Sequence, residues 1–233
     1  TAFMKEAAWS AARGYPACVC FHEGRLYFGG TRELPNTVWG SKTNSPFDFQ
    51  KTTSLLDDEG VEATLVGSRA VATVRSISSC LGLFFFTTEG PYALTKSAIT
   101  PKTFLPVRYG AIPCGTVRGV EVEGATLFLS ANDGQLKPAL NEFIWNDDDS
   151  RFETNDLNIR CYNILNAPVD CAGRQGNETD AANHVFVING DGTSVKNTIT
   201  FNCDLTPLEK FFSAFVRAYI AIAKLFEKPI LSL

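Results

Sequence analysis

Apolar and polar positions alternate in short runs from about residue 13 to about residue 201, and the period then changes. Val19 and Phe21 alternate with Cys18, Cys20 and His22; a turn at Glu23-Gly24 follows, and Arg25-Leu26-Tyr27-Phe28 leads out to Gly29-Gly30-Thr31. Val38-Trp39-Gly40-Ser41 begins another strand after a Pro-Asn turn. Val61, Ala63 and Leu65 then alternate with Glu62 and Thr64, and Val71, Thr73, Arg75 and Ile77 follow. Residues 81–87 (LGLFFFT) break at Glu89-Gly90-Pro91 before Tyr92-Ala93-Leu94. A third unit runs over 124–130, turns at Asn132-Asp133-Gly134 and resumes over 142–145. A fourth runs over 184–188, turns at Asn189-Gly190-Asp191-Gly192 and resumes at Thr193-Ser194-Val195. Period-two runs bounded by Gly, Asn, Asp and Pro read as strands and hairpins, because Gly, Asn and Asp reach the positive φ that tight turns need.

The pattern predicts an all-β, antiparallel body over residues 1–205 with β-propeller-like repeats. The apolar anchors near Leu26, Phe84, Phe128 and Phe186 stand roughly 40–60 residues apart, a range overlapping the period of a propeller blade. A β-sandwich with long connections fits the strand count as well. Alternate residues of a strand share a face, so Leu26, Phe28, Trp39, Leu83, Phe85, Leu127, Leu129, Phe186 and Ile188 are expected in the core. A register slip of one residue would give the core to Phe84 and Phe86 instead.

From residue 206 the period becomes helical. Thr206-Pro207-Leu208-Glu209 is a capping box with proline at the first helical position, where its missing N–H costs nothing. Phe211, Phe215, Tyr219, Ile222 and Phe226 then recur at spacings of three and four; Lys210, Arg217, Lys224 and Lys228 occupy much of the other side, and Pro229 stops the run. One C-terminal amphipathic α-helix, an arm over 206–233, is expected, with the five apolar residues as an oligomer or docking interface. Its partner is the chain's own β-body, a neighbouring subunit or a membrane surface. Its place after the last hairpin tilts the balance toward a subunit.

Composition narrows the chemistry. The chain has 233 residues, 45% hydrophobic and 20% charged, with a net charge of -4. It lacks the basic balance that non-specific nucleic-acid binding uses. No run reaches the roughly 18 apolar residues of a membrane helix. Residues 1–6 have neither a basic stretch nor a continuous apolar one, so no secretory signal is expected there. Seven cysteines without a CxxC pair suggest reduced thiols in a cytoplasmic assembly environment. Cys18 and Cys20 share a strand face about 7 Å apart, too far for an unstrained disulfide.

Only His22 and His184 could serve a histidine-dependent mechanism, and neither lies in a catalytic motif. Asp57-Asp58-Glu59 and Asp147-Asp148-Asp149 could hold calcium or supply a glycosidase carboxylate pair; solvated loop charge is the simpler reading. Trp9, Trp39 and Trp145 could stack sugars or pack between strands. No catalysis, cofactor or metal is expected.

Residues 9–49 carry more specific words: RGYP, then FHEGRLYFGGT, then PNTVWGS and PFDF. This stretch resembles the central region of the tail nozzle (tubular tail) proteins of short-tailed bacteriophages. The likeness continues more loosely over 57–94, 109–110, 125–129 and 182–193, where NHVFVINGDGT looks like the family's apolar strand and Asp-Gly turn. The resemblance implies a propeller-like platform in a ring-shaped tail tube through which DNA exits. It implies a homo-oligomeric virion component without an active site, assembled in the host bacterial cytoplasm beside other tail and connector proteins. The family's members are longer, and the helical end from Pro207 has no counterpart in it. The alternative is a β-propeller carbohydrate-binding or glycan-cleaving module of a tail machine.

Overall fold

The computed structural model describes residues 9–52, 56–67, 70–94, 99–122, 124–131, 138–158, 162–176 and 183–199. The first hairpin follows from its turn: Glu23 and Gly24 have φ of 44° and 72°, the two successive positive values of a type I′ turn. It joins β1 (Cys18–His22) to β2 (Arg25–Gly29), and β3 (Thr37–Gly40) and β4 (Val61–Thr64) complete sheet I in the order β1-β2-β3-β4. Sheet II holds β5 (Val74–Ser79), β6 (Leu83–Thr87), β7 (Gly90–Leu94) and β8 (Val107–Arg108). Sheet III holds β9 (Val120–Val122), β10 (Ala125–Leu129), β11 (Leu140–Asn146) and β12 (Arg151–Asp156). Sheet IV, among the described residues, holds β13 (Pro168–Arg174), β14 (Asn183–Asn189) and β15 (Ser194–Ile199). All pairings are antiparallel between chain neighbours. The expected all-β body is therefore present, and its one described helical element is a single 3-10 turn, Tyr162–Ile164.

Three apolar layers join the sheets in chain order. Tyr27, Val38 and Val61 of sheet I pack with Val74, Ile77, Leu83, Phe85 and Tyr92 of sheet II. Phe84, Phe86 and Ala93 on the other face of sheet II meet Phe128, Phe143 and Phe152 of sheet III. Val122, Leu127, Leu129 and Leu140 of sheet III meet Val185 and Val187 of sheet IV. Sheets II and III are thus buried on both faces, which is why residues 83–86 and 127–129 are continuously apolar. Both readings of the Phe84/Phe85 register are satisfied at once, because odd and even residues each enter a core.

The first strands of adjoining sheets pack together, β1 on β5 and β9 on β13. Glycine permits close approach at two places, one on β2 against β5 and one on β13 against β9. A Cβ at Gly29 would stand 2.8 Å from Val74 Cγ1, and one at Gly173 would stand 2.4 Å from Val120 Cγ1.

Two core expectations need correction. Phe186 and Ile188 point away from sheet III, at 37% and 42% exposure, while Val185 and Val187 are sealed. β14 has apolar residues on both faces, and the tight approach of β13 to β9 leaves room for the smaller valines. The others hold: Leu26, Trp39, Leu83, Phe85, Leu127 and Leu129 are buried, and Phe28 is half-buried.

Arg25 supplies the polar anchor. Its buried guanidinium donates to the carbonyls of Ser41 (2.7 Å), Glu59 (2.6 Å), Asp57 (2.8 Å) and Ile99 (3.2 Å). One side chain therefore ties the β3–β4 loop of sheet I to the segment that follows β7.

Phe143 stacks on Phe152 at 4.8 Å and meets Phe84 edge-on at 5.2 Å. Replacing Phe143 by Ala should cost about 3–5 kcal/mol in urea unfolding, the range for a fully buried phenylalanine. A change below about 1 kcal/mol would contradict a load shared between sheets II and III.

Candidate functional site

The residues singled out for chemistry are mostly consumed by local structure. Asp58 pairs with Lys42 at 3.0 Å, and Glu59 accepts hydrogen bonds from the Thr52 amide (3.0 Å) and hydroxyl (2.5 Å). Those bonds hold the Glu59 carboxyl below its usual range, and the Lys42 contact does the same for Asp58. At the β11–β12 turn, Asn146 Oδ1 accepts from the amides of Asp148 (2.9 Å) and Asp149 (3.4 Å), and Arg151 pairs with Asp149 at 3.1 Å. The two acidic clusters lie on sheets I and III. No group of three or more metal-ligating side chains occurs among the described residues.

His22 and Ser79 lie at the ends of β1 and β5, and His22 Nδ1 stands 2.8 Å from Ser79 Oγ. Burial pushes the imidazole below its ordinary value, and the Glu23 carboxylate, 4.0 Å from Nε2, opposes that. The contact bridges sheets I and II. His184 is buried on β14, its ring centroid 6.4 Å from that of Phe186.

The described cysteines behave as apolar filling. Cys18, Cys20, Cys80, Cys114 and Cys171 are free thiols. Burial pushes Cys18 up to about 12 and Cys171, with help from Asp170, up to about 11. Cys114 rises further for the same reason. Such thiols are poor nucleophiles at neutral pH.

A cleft of about 380 Å³ opens where the start of β5 and the segments before β9 and β13 come together. Arg75, Thr116, Leu129, Ser130 and Pro168 are among its lining residues. Among the described residues, Arg75 is the one charged side chain of that lining.

Exposed large apolar side chains are scattered over the described residues, Phe47, Val66, Leu81 and Leu105 among them, and two small groups lie on the outer faces of sheets I and IV. On the outer face of sheet I, Trp9 packs edge-on against Phe28 (5.0 Å), Trp39 (5.7 Å) and Phe49 (5.3 Å). Val19 and Phe21, opposite Phe28 and Leu26, remain 51% and 65% exposed. On the outer face of sheet IV, Phe186 and Ile188 play the same part. Sequence reasoning missed both patches, because an apolar residue on a strand reads as core whichever face it occupies. The interface residues expected from the sequence, Phe211, Phe215, Tyr219, Ile222 and Phe226, lie outside the described residues.

No family model matches the chain, and no curated protein matches it.

His22 gives a pH prediction. Its folded value lies below the ordinary 6.5, so the unfolded chain binds the proton more readily. The stability from keeping it neutral is present above about pH 6.5 and is lost as pH falls through the folded value. Urea midpoints should fall between pH 7 and pH 5, and His22→Gln should flatten that fall. An equally steep fall in the variant would remove His22 as its source.

Proposed function

We propose that this chain is a structural subunit of a short-tailed bacteriophage tail tube or nozzle. It would form a propeller-like platform that assembles into a homo-oligomeric ring for tail assembly and DNA passage. The observation that carries the reading is the stacking order: four meandering antiparallel sheets joined face to face by three successive apolar layers. A two-sheet sandwich has one such layer. Blades around an axis bring their first strands together, and the contacts of β1 with β5 and of β9 with β13 fit that arrangement. The resemblance over residues 9–49 supplies the family.

The remaining properties suit a passive conduit. A net charge of -4 avoids strong adhesion to the DNA phosphate backbone. Other tail and connector proteins are the expected neighbours, and the virion is the expected location after assembly in the host bacterial cytoplasm. The Val19–Phe21 patch on sheet I suits contact with a second copy, since large side chains at 51% and 65% exposure are costly to leave in water.

Analytical ultracentrifugation and negative-stain microscopy of the whole chain test this. Ring-shaped oligomers are expected, and Val19→Asp with Phe21→Asp should dissociate them without lowering the melting temperature of the monomer. A monomer at every concentration would overturn the ring. Turnover of a host surface polysaccharide, lost on changing Asp57, Asp58 or Asp147, would favour the glycan-cleaving alternative.

A further inference from the structure

Arg75 is aimed by an irregularity in its own strand. Val74 and Ile77, three residues apart on β5, both enter the layer shared with sheet I, where strict alternation would put them on opposite faces. The pairing of β5 with β6 slips between Val74 and Ser76, which makes Arg75 the extra residue of a β-bulge. A bulge takes one side chain out of the alternating order and re-aims it. Here it sets an exposed arginine in the lining of the cleft of about 380 Å³. The guanidinium has no hydrogen bond or ion pair among the described residues.

The walls of the cleft are held by main-chain bonds. On the sheet III side the Gly115 amide donates to the Leu129 carbonyl at 2.7 Å, and the Ala131 amide donates to that of Pro113 at 2.8 Å. On the sheet IV side the Gly190 amide donates to the Ala167 carbonyl at 3.0 Å, which fixes the approach to Pro168. Ser130 Oγ accepts from the Ala139 amide at 2.8 Å and keeps its own O–H to donate. Thr116 supplies a second hydroxyl, and Val117, Leu129 and Pro168 supply apolar wall. The six residues that link Ala131 to Pro138 carry Asp133 and Lys137, whose charges cancel, so the Arg75 charge is not offset by that link.

We propose that this cleft binds a small phosphate monoester, with the phosphoryl oxygens on Arg75, Ser130 and Thr116 and the organic part against Val117, Leu129 and Pro168. The planar guanidinium fork matches phosphate oxygens, and two hydroxyls add neutral donors beside it. A cleft of this size, mostly apolar with a few polar groups, is that of a small-molecule site. The same phosphoryl chemistry occurs in a nucleic-acid backbone, and the test separates the two sources. The site lies within one chain and does not depend on ring assembly.

Titration of the nitrogen-15-labelled full chain with phenyl phosphate, followed by amide chemical shifts, tests the proposal. Saturable shifts at Thr116, Val117 and Ala131 are expected, with a dissociation constant on the order of a millimolar. Inorganic phosphate, which lacks the apolar part, should bind the same amides more weakly. Arg75→Gln should weaken phenyl phosphate by about tenfold or more, the loss of one charge-assisted contact, and Arg75→Lys by less. Because Arg75 is exposed, the urea midpoint of both variants should match that of the original chain. Shifts that never saturate, or equal binding by Arg75→Gln, would overturn the site. A single-stranded oligonucleotide without a terminal phosphate that binds these amides more tightly than phenyl phosphate, and loses that binding in Arg75→Gln, would replace the monoester with a nucleic-acid backbone.

Discussion

The two-sided burial of sheets II and III is the constraint on which the rest of the structure depends. Leu83 and Phe85 enter the layer shared with sheet I, while Phe84 and Phe86, on the same strand, enter the layer shared with sheet III. In sheet III, Leu127 and Leu129 face sheet IV and Phe128 faces sheet II. Each such side chain contributes roughly 1.5–3 kcal/mol when buried. A central sheet that lost either neighbour would expose half of its large residues. The stack therefore stands or falls as a unit, and the outer sheets, anchored through one face, are its least protected parts.

Polar anchors complement those layers where apolar packing cannot reach. Arg25 is buried with no carboxylate partner among the described residues, and its guanidinium instead gathers four main-chain carbonyls, three from the β3–β4 loop and one from the segment after β7. The planar fork suits that task as a lysine ammonium would not. Those carbonyls would otherwise be hidden from water without donors, at a cost of about 1–3 kcal/mol for each orphaned group. The His22–Ser79 contact adds a second cross-sheet link at the ends of β1 and β5. Both anchors join sheets I and II.

Few of the residues singled out for chemistry remain free for it. Interior faces are spent on stacking, the acidic clusters on turns, and the thiols on filling. Apolar area remains on the outer face of sheet I, where Trp9 and Phe49 cover only part of it, and on the outer face of sheet IV.

The all-β class, the hairpin at Glu23-Gly24 and strands β2, β6, β10 and β14 were legible in the sequence, because period-two alternation and positive-φ turn residues are local properties. The orientation of β14 was not. Val185 and Val187 alternate with Phe186 and Ile188, so hydropathy marks both sets as core. The close approach of β9 at Gly173 chooses the smaller pair. β1 posed the same ambiguity, with Cys20 turned toward sheet II and Val19 and Phe21 turned out. β13, with exposed Asp170 and Arg174, had too little apolar alternation to be read as a strand. By itself the sequence determined the all-β class and the strands that alternate clearly beside turn residues, since turn chemistry and alternation act over a few residues. Only the tertiary structure decided which face of each strand is interior, because that depends on the depth of the layer and the sheet on its far side.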